Sequence, residues 1–199
     1  MSKIEWKPGN MLYPLPVAMV SCGQKPEEYN IITIAWTGTI NTNPPMVSIS
    51  VRKTRHSYAV IKQTREFVIN LTTEKLVKAA DWCGVKSGKD YNKFKEMNLT
   101  PGKASKVQTP IILESPVNIE CQIKQEIELG SHTMFLAEVV AVLVDEKYLD
   151  RTTGKFDLRQ TGPVAYLHGS YYELGENLGR FGFSVRKKKE KRKDADKEI

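Results

Sequence analysis

The feature that most constrains the fold of this chain is a long run of alternating side chains from Val117 to Leu129. The odd positions are apolar apart from Gln125, whereas the even positions are all polar or charged. A period of two is typical of a β-strand with one buried face. Gly130 and Ser131 follow, and then a run rich in Val, Phe and Leu from His132 to Val144 predicts an antiparallel partner, with Gly130 allowing the turn. Two adjacent strands of this length predict a mainly β fold with a barrel or a strongly curved sheet.

The rest of the chain predicts shorter strands and few helices. Apolar and β-branched runs predict the strands Val17–Cys22, Ile31–Thr37, Met46–Val51, Phe67–Leu71, Val164–Leu167 and Tyr171–Leu174. Helical patterns predict Arg55–Gln63 after an N-cap at Thr54, Glu74–Cys83 after one at Thr73, and Tyr91–Met97. With 199 residues, no internal repeat and no composition break before residue 186, we expect one domain over residues 1–185.

The terminal segments and the cysteines indicate the compartment. Three widely spaced cysteines form no C-x-x-C pair, so they suggest neither a disulfide framework nor a zinc finger. The N-terminus lacks the apolar run of a secretory signal. The longest uncharged stretch, residues 29–51, is rich in Asn, Pro, Thr and Ser and is not a membrane span. We therefore expect a cytoplasmic protein without a membrane partner.

The net charge of +7 is concentrated at the C-terminus. Residues 186–199 hold eight basic and four acidic residues, a net of +4, which leaves +3 for the remainder. Such a segment attracts nucleic acid or anionic lipid, but it has no interleaved aromatic residues and its acidic residues dilute the charge. We expect a flexible solvated tail. A β-barrel that binds nucleic acid through this tail is a remote alternative, since no strand places aromatic residues beside Lys or Arg.

Several common active-site patterns are missing from the sequence. It contains no G-x-G-x-x-G at a strand–helix turn, and Gly84–Asp90 lacks the spacing of a phosphate-binding loop. The histidines His56, His132 and His168 have no metal-binding spacing, and no G-x-S-x-G turn occurs. The sequence therefore gives no local support for a doubly wound dinucleotide fold, a metal site or a hydrolase triad.

A polar surface near Met46–Val51 is the positive signal. Val47, Ile49 and Val51 would face the core, which leaves Ser48 and Ser50 on the other face with Arg52 at the strand end. The next helix would begin around residues 54–57, so its free N–H groups would lie beside Arg52, Arg55 and the Ser57 hydroxyl. This pattern is consistent with a phosphate cradle that needs no glycine loop. The alternative is an ordinary strand–turn–strand whose hydroxyls face solvent.

The preceding strand offers a surface for a flat ring. Thr33 and the small Ala35 would share one face, beside backbone groups that could meet the edge of a planar heterocycle. On the residues alone, a ligand site and a plain solvent-facing strand both remain open.

Segments in a particular order carry a family resemblance. They are Tyr13-Pro14-Leu15-Pro16-Val17, Asn30-x-x-Thr33-x-Ala35-Trp36-x-Gly38, Asn43-Pro44-Pro45-Met46 through Arg52, His56-Ser57, Glu66 to Leu71, and Gly130-Ser131-His132-Thr133. Over roughly residues 10–175 their order and spacing resemble the flavin reductase-like family, and its flavoredoxin branch in particular. The resemblance implies a mainly β, Greek-key-like FMN-binding split β-barrel with a few peripheral helices. It also implies a homodimer that holds FMN non-covalently near the subunit interface.

The resemblance also implies roles for individual residues. Along the isoalloxazine ring it places Thr33, Ala35 and Trp36; Trp36 could instead wall the ring or pack on the partner subunit. At the phosphate end of the ribityl chain it places Ser50, Val51, Arg52, His56 and Ser57. In the segment Gly88–Phe94, which would close over the flavin, Lys93 is the expected polar contact.

Three residues outside this set have two interpretations each. His132 is a candidate catalytic residue, where the nicotinamide or acceptor would approach, or else a cross-strand hydrogen-bonding residue. His168 is expected to be structural. Cys83, on an amphipathic helix, is expected to be a buried small apolar residue rather than a redox thiol.

Two functions follow from the resemblance. The first is an FMN-dependent oxidoreductase, or flavin reductase, that takes electrons from NADH or NADPH and passes them to an acceptor. The second is a flavoredoxin-type electron carrier that is reduced by a redox protein donor. Because the same cofactor site serves both functions, the sequence does not separate them.

Overall fold

A computed structural model describes residues 1–185 of the chain as a mainly β protein with three α-helices in this part. The predicted basic tail, residues 186–199, lies outside the described residues. The strands are β1 Leu15–Pro16, β2 Ala18–Cys22, β3 Asn30–Ile34, β4 Thr37–Asn41, β5 Met46–Val51, β6 Glu66–Leu71, β7 Pro101–Gly102, β8 Ile111–Ile112, β9 Val117–Glu128, β10 Thr133–Val144, β11 Val164–Leu167 and β12 Ser170–Glu173. The α-helices are α1 His56–Thr64, α2 Val77–Val85 and α3 Lys93–Glu96.

Seven strands form the main antiparallel sheet, in the order β3-β2-β6-β9-β10-β5-β4. The long pair β9 and β10 is antiparallel as predicted, and Gly130 in the connecting turn has a φ of 77°. Two register shifts interrupt this pair, between Leu136 and Ala137 and between Val139 and Ala141. Since such bulges increase strand twist, they contribute to the curling of the sheet.

The predicted strand Ile31–Thr37 is wrong at its C-terminal end. Strand β3 ends at Ile34, and the chain turns at Ala35 and Trp36 before β4 begins. The Thr37 N–H donates to the Ala35 carbonyl over 2.9 Å, which closes this tight turn. Because β3 and β4 lie at opposite edges of the same sheet, the turn crosses between two edges that the curled sheet brings together.

Apolar residues on the inner face of the curled sheet form the main core. Phe67, Phe135, Ile49 and Val51 lie there, together with Ile61 of α1. A second core lies on the other face, where Met19 and Ile31 pack against α2, α3 and the short β11–β12 hairpin. Strand β3 is therefore covered on both faces, which explains why it carries isoleucines on both of them, Ile31 on one and Ile32 and Ile34 on the other.

The expectation that all even positions of β9 face solvent is wrong at two residues. Asn118 and Glu120 are buried because the segment 101–112 covers this face of the sheet. The Asn118 amide donates to Asn70 Oδ1 over 2.8 Å and to the Ile112 carbonyl over 3.0 Å. Both polar side chains therefore fix a loop to the sheet instead of meeting water.

The helices agree with the predicted positions, with shifts at their ends. Helix α1 begins one residue later than expected, and its N-cap residue is Arg55 rather than Thr54. A 3₁₀ turn, Glu74–Leu76, precedes α2, and the Thr73 side chain does not cap it. Helix α3 is shorter than predicted, since it begins after the Asn92 cap. Among residues 1–185, no helix is both long and apolar enough to span a bilayer.

Candidate functional site

A groove of about 700 Å³ opens where β3 approaches the end of β5. Its floor comes from these two strands, and its sides come from α2, the β9–β10 turn and the β11–β12 hairpin. The residues that line it are Asn10, Val17, Ile32, Thr33, Ile34, Ala35, Trp36, Ser50, Val51, Arg52, Arg55, Asp81, Gly84, Val85, Ser131, His132, Tyr166, Gly169 and Tyr171. Its size suits a small organic ligand, since such sites usually measure about 300–1,000 Å³.

A smaller pocket of about 100 Å³ adjoins the groove at the N-terminus of α1. It is lined by Asn30, Ile32, Thr54, Arg55, His56, Ser57, Cys83, Gly84, Lys86, Ser87, Gly88 and Lys93. Ile32, Arg55 and Gly84 line both cavities, so the groove and the small pocket are neighbours. Three of its residues, Arg55, Lys86 and Lys93, carry positive charge, which favours an anion there.

The structure brings the sequence-predicted residues together in these two cavities. The groove receives Thr33, Ala35, Trp36, Ser50, Val51, Arg52 and the candidate catalytic residue His132. The small pocket receives His56, Ser57 and Lys93. The predicted phosphate cradle is thus divided, because Arg52 lines only the groove and the α1 residues line only the small pocket. The individual roles stay predictions.

Several predicted contact groups are already engaged by the protein. The Thr33 hydroxyl donates to the Ala80 carbonyl over 2.5 Å, and the Ser50 N–H donates to the Trp36 carbonyl over 2.9 Å. The Val51 side chain is buried in the core. The Thr33 hydroxyl and the Ser50 N–H are therefore not free to donate to a ligand.

The N-terminus of α1 leaves its first N–H groups available. The N-cap residue Arg55 has an extended backbone, and no side chain caps the helix. The Ser57 hydroxyl lies in this first turn but is buried, and it accepts a hydrogen bond from Asn30 Nδ2 over 2.7 Å. Asn30 Oδ1, also buried, has no hydrogen-bond partner among the described residues. Uncapped N–H groups and the helix dipole favour an anion at this end of the helix.

Lys93 is a buried cation at the base of the small pocket. Its ammonium group donates to the carbonyls of Ile31 and Cys83, each over 2.7 Å. Burial lowers the pKa of Lys93 below its ordinary value, and the nearby Arg55 lowers it further. Since an ammonium group has three donors, one remains for a ligand.

Trp36 and His132 form a flat surface on one side of the groove. Their rings are parallel to within 5°, with centroids 6.4 Å apart. The Ser131 hydroxyl lies 2.8 Å from His132 Nδ1. Burial and the neighbouring Arg52 lower the pKa of His132, which favours the neutral imidazole.

Sequence reasoning missed the opposite wall of the groove. Tyr166 and Tyr171 of the terminal hairpin pack together with centroids 5.8 Å apart. The Tyr171 hydroxyl donates to Asp81 of α2 over 3.1 Å, and burial together with this carboxylate raises the pKa of Tyr171 to about 12. Tyr171 and Asp81 are 90 positions apart in the sequence, so no local pattern could have predicted their contact. The expected structural role of His168 is consistent with its ring packing on Tyr13, 4.4 Å between centroids.

The curled sheet and the two adjoining cavities define a mainly β protein with an open groove beside a small basic pocket. Residues 10–175 match the family model for the flavin reductase like domain, and the chain belongs to this family. An uncharacterized protein of Archaeoglobus fulgidus is 32% identical over 147 residues, which covers 74% of this chain and 80% of that protein.

Two solved structures show how far the fold likeness extends. The flavoredoxin of Desulfovibrio vulgaris (Miyazaki F) superposes with a TM-score of 0.85 at 30% identity, over 93% of this chain and all of that chain. A flavoredoxin from Methanosarcina acetivorans gives a TM-score of 0.83 at 26% identity, over 94% and 100%. The fold is therefore a split barrel of the flavin reductase-like type, as the sequence resemblance implied.

Proposed function

We propose that this chain binds FMN non-covalently and transfers electrons from NADH or NADPH through it to an acceptor. The observation that carries the proposal is the pairing of a groove of about 700 Å³ with a small basic pocket at an uncapped helix N-terminus. Membership of the flavin reductase like family supports the same conclusion. FMN has this shape, with a planar ring at one end and a phosphate at the other.

The small pocket fits the phosphate. The pocket offers the free N–H groups of α1, the Arg55 guanidinium, Lys86 and the remaining donor of Lys93. A phosphate monoester carries a charge of about −1.5 to −2 at pH 7, which these groups would balance. Helix N-termini and cationic side chains together form a strong phosphate site. We therefore infer that the phosphate lies here, beside His56 and Ser57.

The neighbouring residues fit the ribityl chain and the ring. Asn30 Oδ1 is a buried acceptor with no partner, and a sugar hydroxyl would supply the missing donor. A Cβ atom on Gly88 would lie 2.2 Å from this oxygen, so glycine keeps the pocket open. Along the groove, the main chain at Ala35 and the Ser50 hydroxyl face the volume for the ring edge. The chain thus offers suitable groups for each part of FMN.

In this proposal the protein has to bind the flavin, orient it and exclude water. Bound flavin supplies two-electron acceptance, so the chain needs no nucleophile or metal. The groove walls orient the ring and exclude water, and neutral His132 can donate or accept a hydrogen bond at the groove edge. His132 is the residue that we propose contacts the nicotinamide or the acceptor.

An electron-carrier role is the second candidate, and the likeness to two flavoredoxins favours it. In that case a redox protein would reduce the bound FMN. The same groove and small pocket would serve, since only the donor differs.

An absorbance spectrum tests the proposal directly. The protein loaded with FMN should show flavin bands in the blue, and anaerobic NADH or NADPH should bleach them within seconds in stopped flow. A His132→Ala variant should bind FMN but bleach more slowly, by roughly tenfold, because one positioning contact is lost. His168→Ala is the matched control, since His168 does not line the groove.

The outcomes separate the candidates. Bands that persist with both nicotinamides but bleach with a reduced ferredoxin would select the carrier. Failure to bind added FMN would overturn the shared premise.

We also propose a homodimer. Large apolar residues are exposed at the end of strand β10 that β5 does not cover, where Val142 is 53% and Val144 37% exposed, and on the edge strand β4, where Ile40 is 46% exposed. Contiguous exposed apolar patches mark interaction sites, and we propose that Val142 and Val144, on one face of β10, belong to such a patch. Because a buried lysine is strongly unfavourable at such an interface, Val142→Lys should shift the protein toward the monomer.

Light scattering after size exclusion measures the effect on mass. Leu129→Lys is the control, because Leu129 is equally exposed but lies at the opposite end of the long hairpin. A monomeric wild-type protein would refute the dimer, and an unchanged Val142→Lys dimer would place the interface elsewhere.

We infer a reducing compartment, the cytoplasm. All three cysteines are free and buried, and burial raises the pKa of Cys22 to about 12 and that of Cys83 to about 11. Free thiols are the rule in reducing compartments. The burial of Cys83 also agrees with its expected role as a small apolar residue.

A further inference from the structure

Arg52 has no counter-charge in the groove that it lines. None of the ion pairs within residues 1–185 includes its guanidinium group. The one carboxylate among the groove-lining residues, Asp81, is already hydrogen-bonded to Tyr171 on the α2 side. Arg55, Lys86 and Lys93 line the small pocket and Arg52 does not, so Arg52 is available for a second anion in the groove.

Ser131 and His132 supply polar groups beside Arg52. Their mutual hydrogen bond of 2.8 Å involves His132 Nδ1, so with Ser131 as donor the imidazole proton lies on Nε2. Arg52 and His132 each adjoin a member of the cross-strand pair Val51 and Thr133, so they lie at the same end of the two strands. Burial first, and Arg52 second, lower the pKa of His132. A carboxylate bound here would accept hydrogen bonds from both the guanidinium and Nε2.

Trp36 adds an apolar face to the same part of the groove. Its indole is 41% exposed and parallel to the His132 ring. An exposed indole parallel to a half-buried imidazole favours stacking with a planar aromatic ligand rather than with a branched aliphatic one. A guanidinium group beside such a surface favours an aromatic ligand that carries a negative charge.

We propose that Arg52, Ser131, His132 and Trp36 form a second anion site, separate from the phosphate pocket, that binds planar aromatic carboxylates. The inference rests on the proposed function, since it places this ligand beside the bound flavin. It also reassigns Arg52, which the sequence resemblance places at the FMN phosphate. The groove thereby selects the class of the second ligand by charge as well as by shape.

Paired titrations test the site. Benzoate and its neutral isostere benzamide are titrated into the FMN-loaded protein and followed by calorimetry and by the flavin difference spectrum. Benzoate should bind at least tenfold more tightly than benzamide. Arg52→Gln should weaken benzoate binding roughly 20-fold, as expected for loss of a charge-assisted hydrogen bond, and should leave benzamide binding and FMN affinity within about twofold. Arg159→Gln, outside both cavities, is the matched control and should match wild type.

The outcomes distinguish the second anion site from the FMN proposal. Equal affinity for benzoate and benzamide, or benzoate binding that ignores Arg52→Gln, overturns the second anion site while the FMN proposal stands. A large loss of FMN affinity in Arg52→Gln also overturns it, because Arg52 would then hold the phosphate. If FMN does not bind at all, the proposed function fails, and the same calorimetric titration of the ligand-free protein decides the anion site by its dependence on Arg52.

Discussion

Replacement of Glu120 by alanine is expected to lower the free energy of unfolding by about 3 kcal/mol, the largest stability effect that we predict for a single polar side chain. Its buried carboxylate accepts hydrogen bonds from the main-chain N–H groups of Ser105, Lys106 and Val107 at 2.7, 2.6 and 3.1 Å, and from the Ser105 hydroxyl at 2.8 Å. Alanine would leave these donors without a carboxylate partner, and the one at Val107 is buried. Each such donor costs about 1–3 kcal/mol, and part of that cost is recovered if water enters.

Urea denaturation with linear extrapolation measures this loss. Glu114→Ala is the matched control, because Glu114 is exposed and its carboxylate accepts from only one N–H group, that of Thr100, at 3.0 Å. We expect the control to lose less than about 1 kcal/mol. Similar losses in both variants would mean that the loop over β9 is held by its apolar contacts alone.

The same carboxylate predicts acid sensitivity. Burial alone would raise the pKa of Glu120, but the four hydrogen bonds outweigh burial and hold its pKa below the ordinary value of 4.5. A depressed pKa in the folded state contributes stability above the unfolded-state pKa, and that contribution disappears as pH falls through the folded-state pKa. Between pH 6 and pH 3 the wild type should therefore lose more stability than Glu120→Gln. Parallel pH curves for the two proteins would contradict the prediction.

Much of the sheet could be predicted because its strands alternate regularly. Strand β5 and strand β11 have the predicted bounds, and β9 and β10 differ from prediction by a residue. The end of β3 could not be predicted, because the apolar sequence continues through the turn at Ala35 and Trp36. That turn exists because the sheet curls and brings its two edges together, which is a property of the whole fold rather than of the local sequence.

In the site, as in the sheet, the sequence predicts local features but not the contacts between distant segments. The face that carries Ser50 and Arg52 follows from the period of β5, and both residues line the groove. The unpaired Asn30 Oδ1, the Thr33 bond to α2 and the Tyr171 bond to Asp81 all depend on contacts between distant segments. The sequence could therefore indicate which residues face the site but not which of their polar groups remain free. The domain boundary at residue 185 stays a prediction.

One structural cause accounts for both cavities. The chain leaves the sheet edge at Ile34, crosses through Ala35 and Trp36, and rejoins the opposite edge as β4. At this crossing the two sheet edges are adjacent but are not joined by a continuous ladder of hydrogen bonds. Helix α1 follows β5 in the chain, and β5 pairs with β4. A groove for a flat ring and a helix N-terminus for an anion thus arise from the same break in the barrel.

The second large effect concerns FMN affinity. Lys93→Met should weaken FMN binding by about 3 kcal/mol, roughly hundredfold, because it removes a buried cation from the proposed phosphate pocket. The affinity of the wild type should also fall as pH rises in the alkaline range. Burial lowers the pKa of Lys93 below 10.5 in the ligand-free protein, and a bound phosphate would raise it, so FMN binding takes up a proton between these two pKa values.

Riboflavin separates the charge of Lys93 from its structural role, since it carries the same ring and ribityl chain without phosphate. If Lys93 acts on the phosphate, Lys93→Met should weaken FMN binding and leave riboflavin binding nearly unchanged, and the alkaline pH dependence should disappear. Lys95→Met, an exposed position in the same helix, is the control in fluorescence titrations of both ligands. An equal loss for FMN and riboflavin would instead mean that Lys93 acts through the Ile31 and Cys83 carbonyls, whose positions it fixes. No loss for either ligand would place the phosphate outside the small pocket, because a dianion there could not avoid this ammonium group.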